Sequence, residues 1–200
     1  MEYYSLNQYL RDTFGQKVYK IAIDGGFTCP NRDGTLDTRG CIFCSGAGSG
    51  EFAQDRMESL ALQITKAKER VAGKIKEGKY IAYFQAFTNT YAPVSRLRKL
   101  YEEAMAQEDI VDCLSTEIIE LLVECNRKMP VWVELGLQTI HEDTAQYIRR
   151  GYALSVFDDA VNRLQEAGIS VIVHVILGLP GESREDMLET VDYVGKSGVN

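Results

Sequence analysis

The sequence predicts an α/β domain built on a parallel sheet, and three observations carry that reading. Apolar runs suited to buried strands stand at Val18–Ile23, Tyr80–Phe87, Val131–Leu137 and Val171–Leu177, each followed by Gly, Pro, Thr or Asn. Amphipathic helical stripes fill most of the gaps between them. Strand and helix therefore alternate, and right-handed crossovers place the C-terminal ends of all strands on one side, so the loops that follow them converge. With 200 residues, 45% apolar composition and a net charge of -7, the chain reads as one domain; disorder and a coiled coil are excluded. It contains no run of about 18 apolar residues and opens on a polar stretch unlike a signal peptide, so a cytoplasmic protein without a membrane partner is expected.

Taken in order, residues 1–16 form an extension before the first strand, and residues 25–50 a glycine-rich loop after it. Leu60, Ile64, Ala67, Val71 and Ile75 recur at helical spacing up to Gly78. The second strand leads into Thr88-Asn89-Thr90, and Val94–Gln107 reads as a helix on Leu97, Leu100, Tyr101 and Ala104. Only Ile110-Val111 separates this from a further helix over Ser115–Arg127, which carries Ile118, Leu121, Leu122 and Cys125, so one strand is missing or very short. The third strand follows, then a helix on Phe157, Ala160, Val161 and Leu164 that stops at Gly168. After the fourth strand comes a helix on Met187, Val191 and Val194. Ser155 and Ser183 each precede an aspartate by three residues, the spacing of a capping box.

Strand alternation sorts the candidate interior residues. Val131, Val133, Leu135 and Leu137 form one face of their strand, leaving Trp132, Glu134, Gly136 and Gln138 on the other. Val171, Val173, Val175 and Leu177 face helices, which turns Ile172, His174, Ile176 and Gly178 inward. Tyr83, Gln85 and Phe87 share a face of the second strand. Polar groups on several inward faces point to a hydrated or ligand-filled centre, because they are costly in a packed one.

The five cysteines are odd in number and too few for a disulfide framework. Three of them, Cys29, Cys41 and Cys44, crowd into the glycine-rich loop: eleven residues separate the first from a Cys-Ile-Phe-Cys pair. Two thiolates three positions apart chelate one soft metal centre, and the third folds back to it through glycines. Iron-sulfur and zinc are the candidates. A structural zinc wants four ligands, and the histidines, His141 and His174, lie far along the chain. With three protein ligands an iron-sulfur cluster leaves one iron open, and there chemistry can occur. Cys125 falls on an apolar helical stripe and reads as core; Cys113 is uncommitted.

The stretch from Phe14 to Lys20, then Asp24-Gly25-Gly26-Phe27-Thr28-Cys29-Pro30-Asn31-Arg32-Asp33-Gly34, then Gly40-Cys41-Ile42-Phe43-Cys44-Ser45, resembles a radical S-adenosylmethionine (SAM) protein, and within that superfamily the uncharacterised YtqA/YhcC group. Phe84–Tyr91, Val131–Thr139 and His174–Glu182 continue the resemblance, and the long cysteine spacing is similar to that of the radical-SAM subunit of Elongator. The resemblance implies a 4Fe-4S cluster held by Cys29, Cys41 and Cys44, with SAM on the fourth iron, cleaved on reduction to a 5'-deoxyadenosyl radical that takes a hydrogen from substrate. It implies Phe43 near the adenine, Thr88, Asn89 and Thr90 near the SAM amino group, Glu134 and Gln138 near ribose or substrate, and Gly178 in a loop passing the adenine; His174, on the inward face, reads as a hydrogen-bonded interior histidine before a cofactor contact. It also implies an electron donor such as flavodoxin or ferredoxin, and leaves an RNA base as a substrate candidate, with Lys66, Lys68, Arg70, Lys74, Lys76 and Lys79 making a locally basic helix. A rival function is a zinc- or iron-sulfur-stabilised binding module without SAM chemistry, and Thr88–Thr90 has a plain reading as a turn, Glu134 as an ion-paired structural acid. The sequence departs from the family between Ile110 and Cys113, where the resemblance leads one to expect a longer strand segment carrying an arginine. The fold expected is a partial (β/α)6-type TIM-like barrel, a single radical SAM core over residues 1–200, C-terminally truncated and short of its last strand or strands.

Overall fold

The computed structural model describes residues 4–74, 78–113 and 119–199, apart from the side chains of 111–113. Five strands and seven helices follow in the order α1 (Leu6–Phe14), β1 (Val18–Ile23), α2 (Leu60–Val71, continued by a 3-10 turn over Ala72–Lys74), β2 (Lys79–Phe84), α3 (Val94–Met105), β3 (Ile110–Cys113), α4 (Ile119–Lys128), β4 (Trp132–Gln138), α5 (Glu142–Tyr147), α6 (Leu154–Glu166), β5 (Ser170–Val175) and α7 (Arg184–Lys196). The doubtful strand after α3 exists and is four residues long. Ile75, Lys76, Ser115, Ile118 and the Cys113 side chain lie outside the described residues.

All pairings are parallel, as the alternation requires, but the strands do not form one sheet. Among the described residues β1, β2 and β3 make a three-stranded sheet and β4 with β5 a separate pair. Two strand limits also move. Phe87 stands beyond the end of β2 with φ 61, and Gln138, closing β4, has φ 67. The strand conformation ends at these points, yet Tyr83, Gln85 and Phe87 line one cavity together, as their expected shared face implies.

Helices cover the outer faces. Ile21 and Ile23 of β1, Ala82 and Phe84 of β2, Val133 and Leu137 of β4 and Val171 of β5 share one core with Leu60 and Ile64 of α2, Leu97 and Tyr101 of α3, Leu121 and Cys125 of α4, and Phe157 and Val161 of α6. Cys125 is buried, as the stripe implies. The opposite faces turn toward each other. Leu10 of α1 packs with Val18, Ile81 and Trp132 in a second cluster, with Phe14 and Ile172 against it, so α1 closes the N-terminal ends of both sheets. Two residues further along each strand, Lys20 of β1 bonds Glu134 of β4 across the gap between the sheets.

Helix ends show where local sequence decides and where it does not. Ser183 forms the capping box at α7: its Oγ accepts from the Asp186 amide while Asp186 Oδ2 accepts from Ser183 N at 2.7 Å. Ser155 does not cap anything. It lies inside α6, and the first free amide there, Leu154 N, donates to Glu142 Oε1 at 2.6 Å from the preceding helix. A tertiary carboxylate has taken the place of the local hydroxyl. Among the described residues no helix is long and apolar enough to cross a membrane.

Candidate functional site

The loop between β1 and α2 holds its cysteines by a chain of short-range bonds. Arg32 N and Asp33 N donate to Cys29 O at 2.8 and 3.0 Å, Gly40 N donates to Asn31 O at 2.8 Å, and Cys44 N donates to Cys41 O at 3.1 Å. Two turns are thereby closed, one at the lone cysteine and one inside the pair. The Arg32 guanidinium donates to Cys44 O and Ser45 O at 2.8 and 2.6 Å, tying the turns together. Gly40 permits this: its φ is 73, and a Cβ there would stand 2.8 Å from Arg32 Nε. The loop is fastened to the end of β2 by Phe87 N to Gly48 O and Thr88 N to Thr28 O, at 2.9 and 3.1 Å.

Cys29, Cys41 and Cys44 are free and half-buried, and all three line one cavity of about 530 Å³. Burial pushes the Cys41 thiol up, an amide hydrogen bond from Asn31 works the other way, and the neighbouring Cys29 and Cys44 sulfurs add to the rise. The wall opposite the sulfurs is built from the strand ends. Phe43, Thr88, Asn89, Thr90, Glu134 and Gln138 all line this cavity. His174 and Gly178, expected inside, do not: both are exposed, and Gly178 sits in a turn with φ 87 and open space around it. Leu177 is exposed as well and does not face a helix.

Thr88, Asn89 and Thr90 do form a turn, with Tyr91 N donating to Thr88 O at 3.0 Å. Asn89 Nδ2 donates back to Phe84 O at 2.5 Å. Its Oδ1, however, is buried and has no partner among the described residues. A buried acceptor left alone costs about 1–3 kcal/mol, so Asn89, a residue of the cavity lining, carries an unsatisfied oxygen.

Beneath the cavity floor lies a charged layer. Glu134 Oε1 accepts from Lys20 Nζ and, at 3.3 Å, from Trp132 Nε1. Its Oε2 is 2.7 Å from His174 Nε2. Burial works to raise the Glu134 carboxyl, but the His174 hydrogen bond and the Lys20 charge prevail and hold it down at about 2. Lys20 also stands over the Tyr83 ring at 4.0 Å from its centroid. Burial pushes the Tyr83 phenol far up, with the Glu134 charge adding to it. Glu134 is thus both an ion-paired acid and a part of the cavity wall, and His174 reaches the site only through it.

Several residues of this region escaped the sequence reading. Lys20 follows Val18 at a spacing of two, so the alternation used for the other strands would have turned it inward. Arg150 gives no such signal. It is a buried cation on the cavity wall that donates to Leu137 O at 3.2 Å, Thr139 O at 2.6 Å and Tyr152 O at 2.9 Å, and it faces Glu142 at 3.4 Å. Its partners come from the end of β4, the residue just after it, α5 and its own loop, and their meeting is visible only in the fold. The basic helix is largely spoken for by its own chain: Lys66 pairs with Glu58, Lys68 donates to Glu108 O, and Arg70 donates to Phe52 O at 3.1 Å. Lys76 lies outside the described residues. Among the described residues His141, Asp186 and Glu189 bring three ligand-type atoms within 4.8 Å of one another. There His141 Nε2 already faces Asp186 O at 3.0 Å, and Asp186 serves the α7 cap.

Comparison with known proteins agrees with this geometry. The chain is 50% identical over 200 residues to the uncharacterised protein YtqA of Bacillus subtilis (strain 168), covering 96% of this chain and 62% of the relative. It is 38% identical over 196 residues to the protein YhcC of Escherichia coli (strain K12), covering 94% and 62%. The chain therefore spans about three fifths of the length of these curated relatives. Its fold matches the archaeal Elp3 of Methanocaldococcus infernus with a TM-score of 0.57 at 16% identity, over 88% of this chain and 42% of that one. The profile of the Radical SAM superfamily matches residues 38–194, a span that includes Cys41 and Cys44 and begins after Cys29. With its cysteine loop set on the C-terminal ends of parallel strands, the chain belongs to the radical SAM superfamily.

Proposed function

We propose that residues 1–200 form a single radical SAM core that binds a 4Fe-4S cluster on Cys29, Cys41 and Cys44 and SAM in the adjoining cavity. The two sheets are then two arcs of a partial (β/α)6-type barrel, held face to face by the Lys20 to Glu134 pair and the apolar cluster below it. When bound, the reduced cluster and SAM supply a 5'-deoxyadenosyl radical for hydrogen abstraction.

The observation that carries this reading is the opening of three half-buried sulfurs onto one cavity of about 530 Å³ that Asn89, with its unpartnered oxygen, also lines. That oxygen accepts from the SAM ammonium, with Thr88 and Thr90 beside it. Phe43, between the paired cysteines, lies against the adenine. Gln138 and Glu134 meet the ribose or substrate, and His174 with Lys20 keeps Glu134 ionised so that it accepts rather than donates. Gly178 and His174 stay out of direct contact. The donor set favours a cluster over zinc: a structural zinc wants four ligands, and His141 Nε2 faces Asp186 O while His174 Nε2 meets Glu134. Open thiols and the need for a low-potential electron donor fit the cytoplasm. The substrate is left open, and the internally paired basic helix lends an RNA base no support.

Anaerobic reconstitution with iron and sulfide tests the reading. The protein should take up four irons, absorb broadly in the visible and, once reduced, yield 5'-deoxyadenosine from SAM. A folded but colourless protein, or one that takes up a single zinc instead, would sink it.

A further inference from the structure

Asn31 stands two residues after Cys29, 7% exposed in the wall shared by the cysteine loop and the loop that follows α5. Its Nδ2 faces three acceptors: Arg150 O at 3.2 Å, Arg149 O at 3.3 Å and Cys41 Sγ at 3.4 Å. The two carbonyls decide which way the amide points, since the flipped orientation would set Oδ1 against two backbone oxygens. The bond to sulfur then follows from anchors that owe nothing to the sulfur. Ile42 N donates to Ile148 O at 3.1 Å, so backbone and side-chain ties to the same segment flank Cys41 on either side. Gly151 makes the room: its φ is 86, and a Cβ there would lie 2.4 Å from Asn31 Oδ1. The amide has two N–H hydrogens: with the adjacent Arg149 and Arg150 carbonyls sharing one, the other is left for the Cys41 sulfur, in the room that Gly151 clears.

We propose that Asn31 is a positioning residue that raises the reduction potential of the cluster through its N–H to Cys41 Sγ, an inference that rests on the cluster assignment above. A hydrogen bond to a ligand sulfur withdraws negative charge from it, and it strengthens when the cluster carries one more electron, so the reduced state gains more than the oxidised one. The step is a one-electron reduction of the cluster by a low-potential donor, for which titanium(III) citrate serves as the reagent. No bond forms or breaks and no proton moves.

The test compares the reconstituted parent with Asn31→Leu, which keeps the volume and loses the N–H, and with Gly151→Ala, which keeps the N–H and drives it off the sulfur. Iron content is measured first, then the midpoint potential by EPR-monitored titration, with resonance Raman reading the Fe–S stretches. Both variants should hold as much iron as the parent and titrate at more negative potential. At the parent's midpoint their reduced-to-oxidised ratio should fall about tenfold, which for one electron corresponds to about 59 mV. An unchanged midpoint in either loaded variant overturns the proposal, as does loss of the cluster from both, which would make Asn31 a scaffold residue only. A parent that assembles no four-iron cluster refutes the cluster assignment instead.

Discussion

His174 Nε2 meets Glu134 Oε2 at 2.7 Å across two paired strands, while Lys20 reaches the other oxygen of the same carboxylate from the opposite sheet. A depressed carboxyl contributes stability above its unfolded value and loses it as the pH falls toward its folded one. Here the interval runs from 4.5 down to about 2, which corresponds to roughly 3 kcal/mol. Glu134→Gln should therefore cost about 3 kcal/mol at neutral pH in denaturant unfolding. The gap from the parent should narrow between about pH 5 and about pH 2; a constant gap would show that the charge is not the cause.

At the cavity rim, Gly48 lies with φ 62 and its absent Cβ would fall 2.5 Å from the Phe87 ring. Gly48→Ala combines backbone strain with a clash against a residue that itself holds φ 61. A loss of about 1–3 kcal/mol is expected, seen as a lower urea midpoint with an unchanged slope. A neutral result would mean that the loop over the cavity yields freely.

The α6 start offers a direct contrast. Glu142→Ala removes the acceptor of Leu154 N and the carboxylate facing Arg150, and should cost about 1–3 kcal/mol. Ser155→Ala, at the position where the sequence places a cap, should change stability by less than about 0.5 kcal/mol. If the two costs were reversed in thermal unfolding, the tertiary cap would be refuted.

Asn89→Leu deletes the unpartnered acceptor. Its expected signature is SAM binding weakened about tenfold in equilibrium dialysis, roughly 1.4 kcal/mol, with iron content unchanged. Cys29→Ala should do the opposite first, losing iron. Equal SAM affinity in Asn89→Leu would remove this side chain from the ligand set.

What could be read from the chain beforehand follows a physical division. β1 appears at its full limits because six residues between turn signals admit one reading, and the cysteine loop is visible because three of the five cysteines fall between positions 29 and 44. Glu134 was placed by period-two alternation, which holds while the strand is regular. Phe87 and Gln138 stand left-handed at strand ends, so alternation alone does not fix them, although both line the cavity. The Glu142 cap, the Arg150 anchors and the Asn31 bond escaped for a different reason. Most of these bonds span ten or more residues and depend on how loops and helices fold back, which no helical or strand periodicity encodes.

The apolar cluster of Leu10, Val18, Ile81 and Trp132 has a directional consequence. It shapes the space between the sheets as a cup rather than a tube. Under the proposed function this floor sets hydrocarbon and an indole ring at the N-terminal ends of the strands, so the reacting end of the site is the one beside the sulfurs.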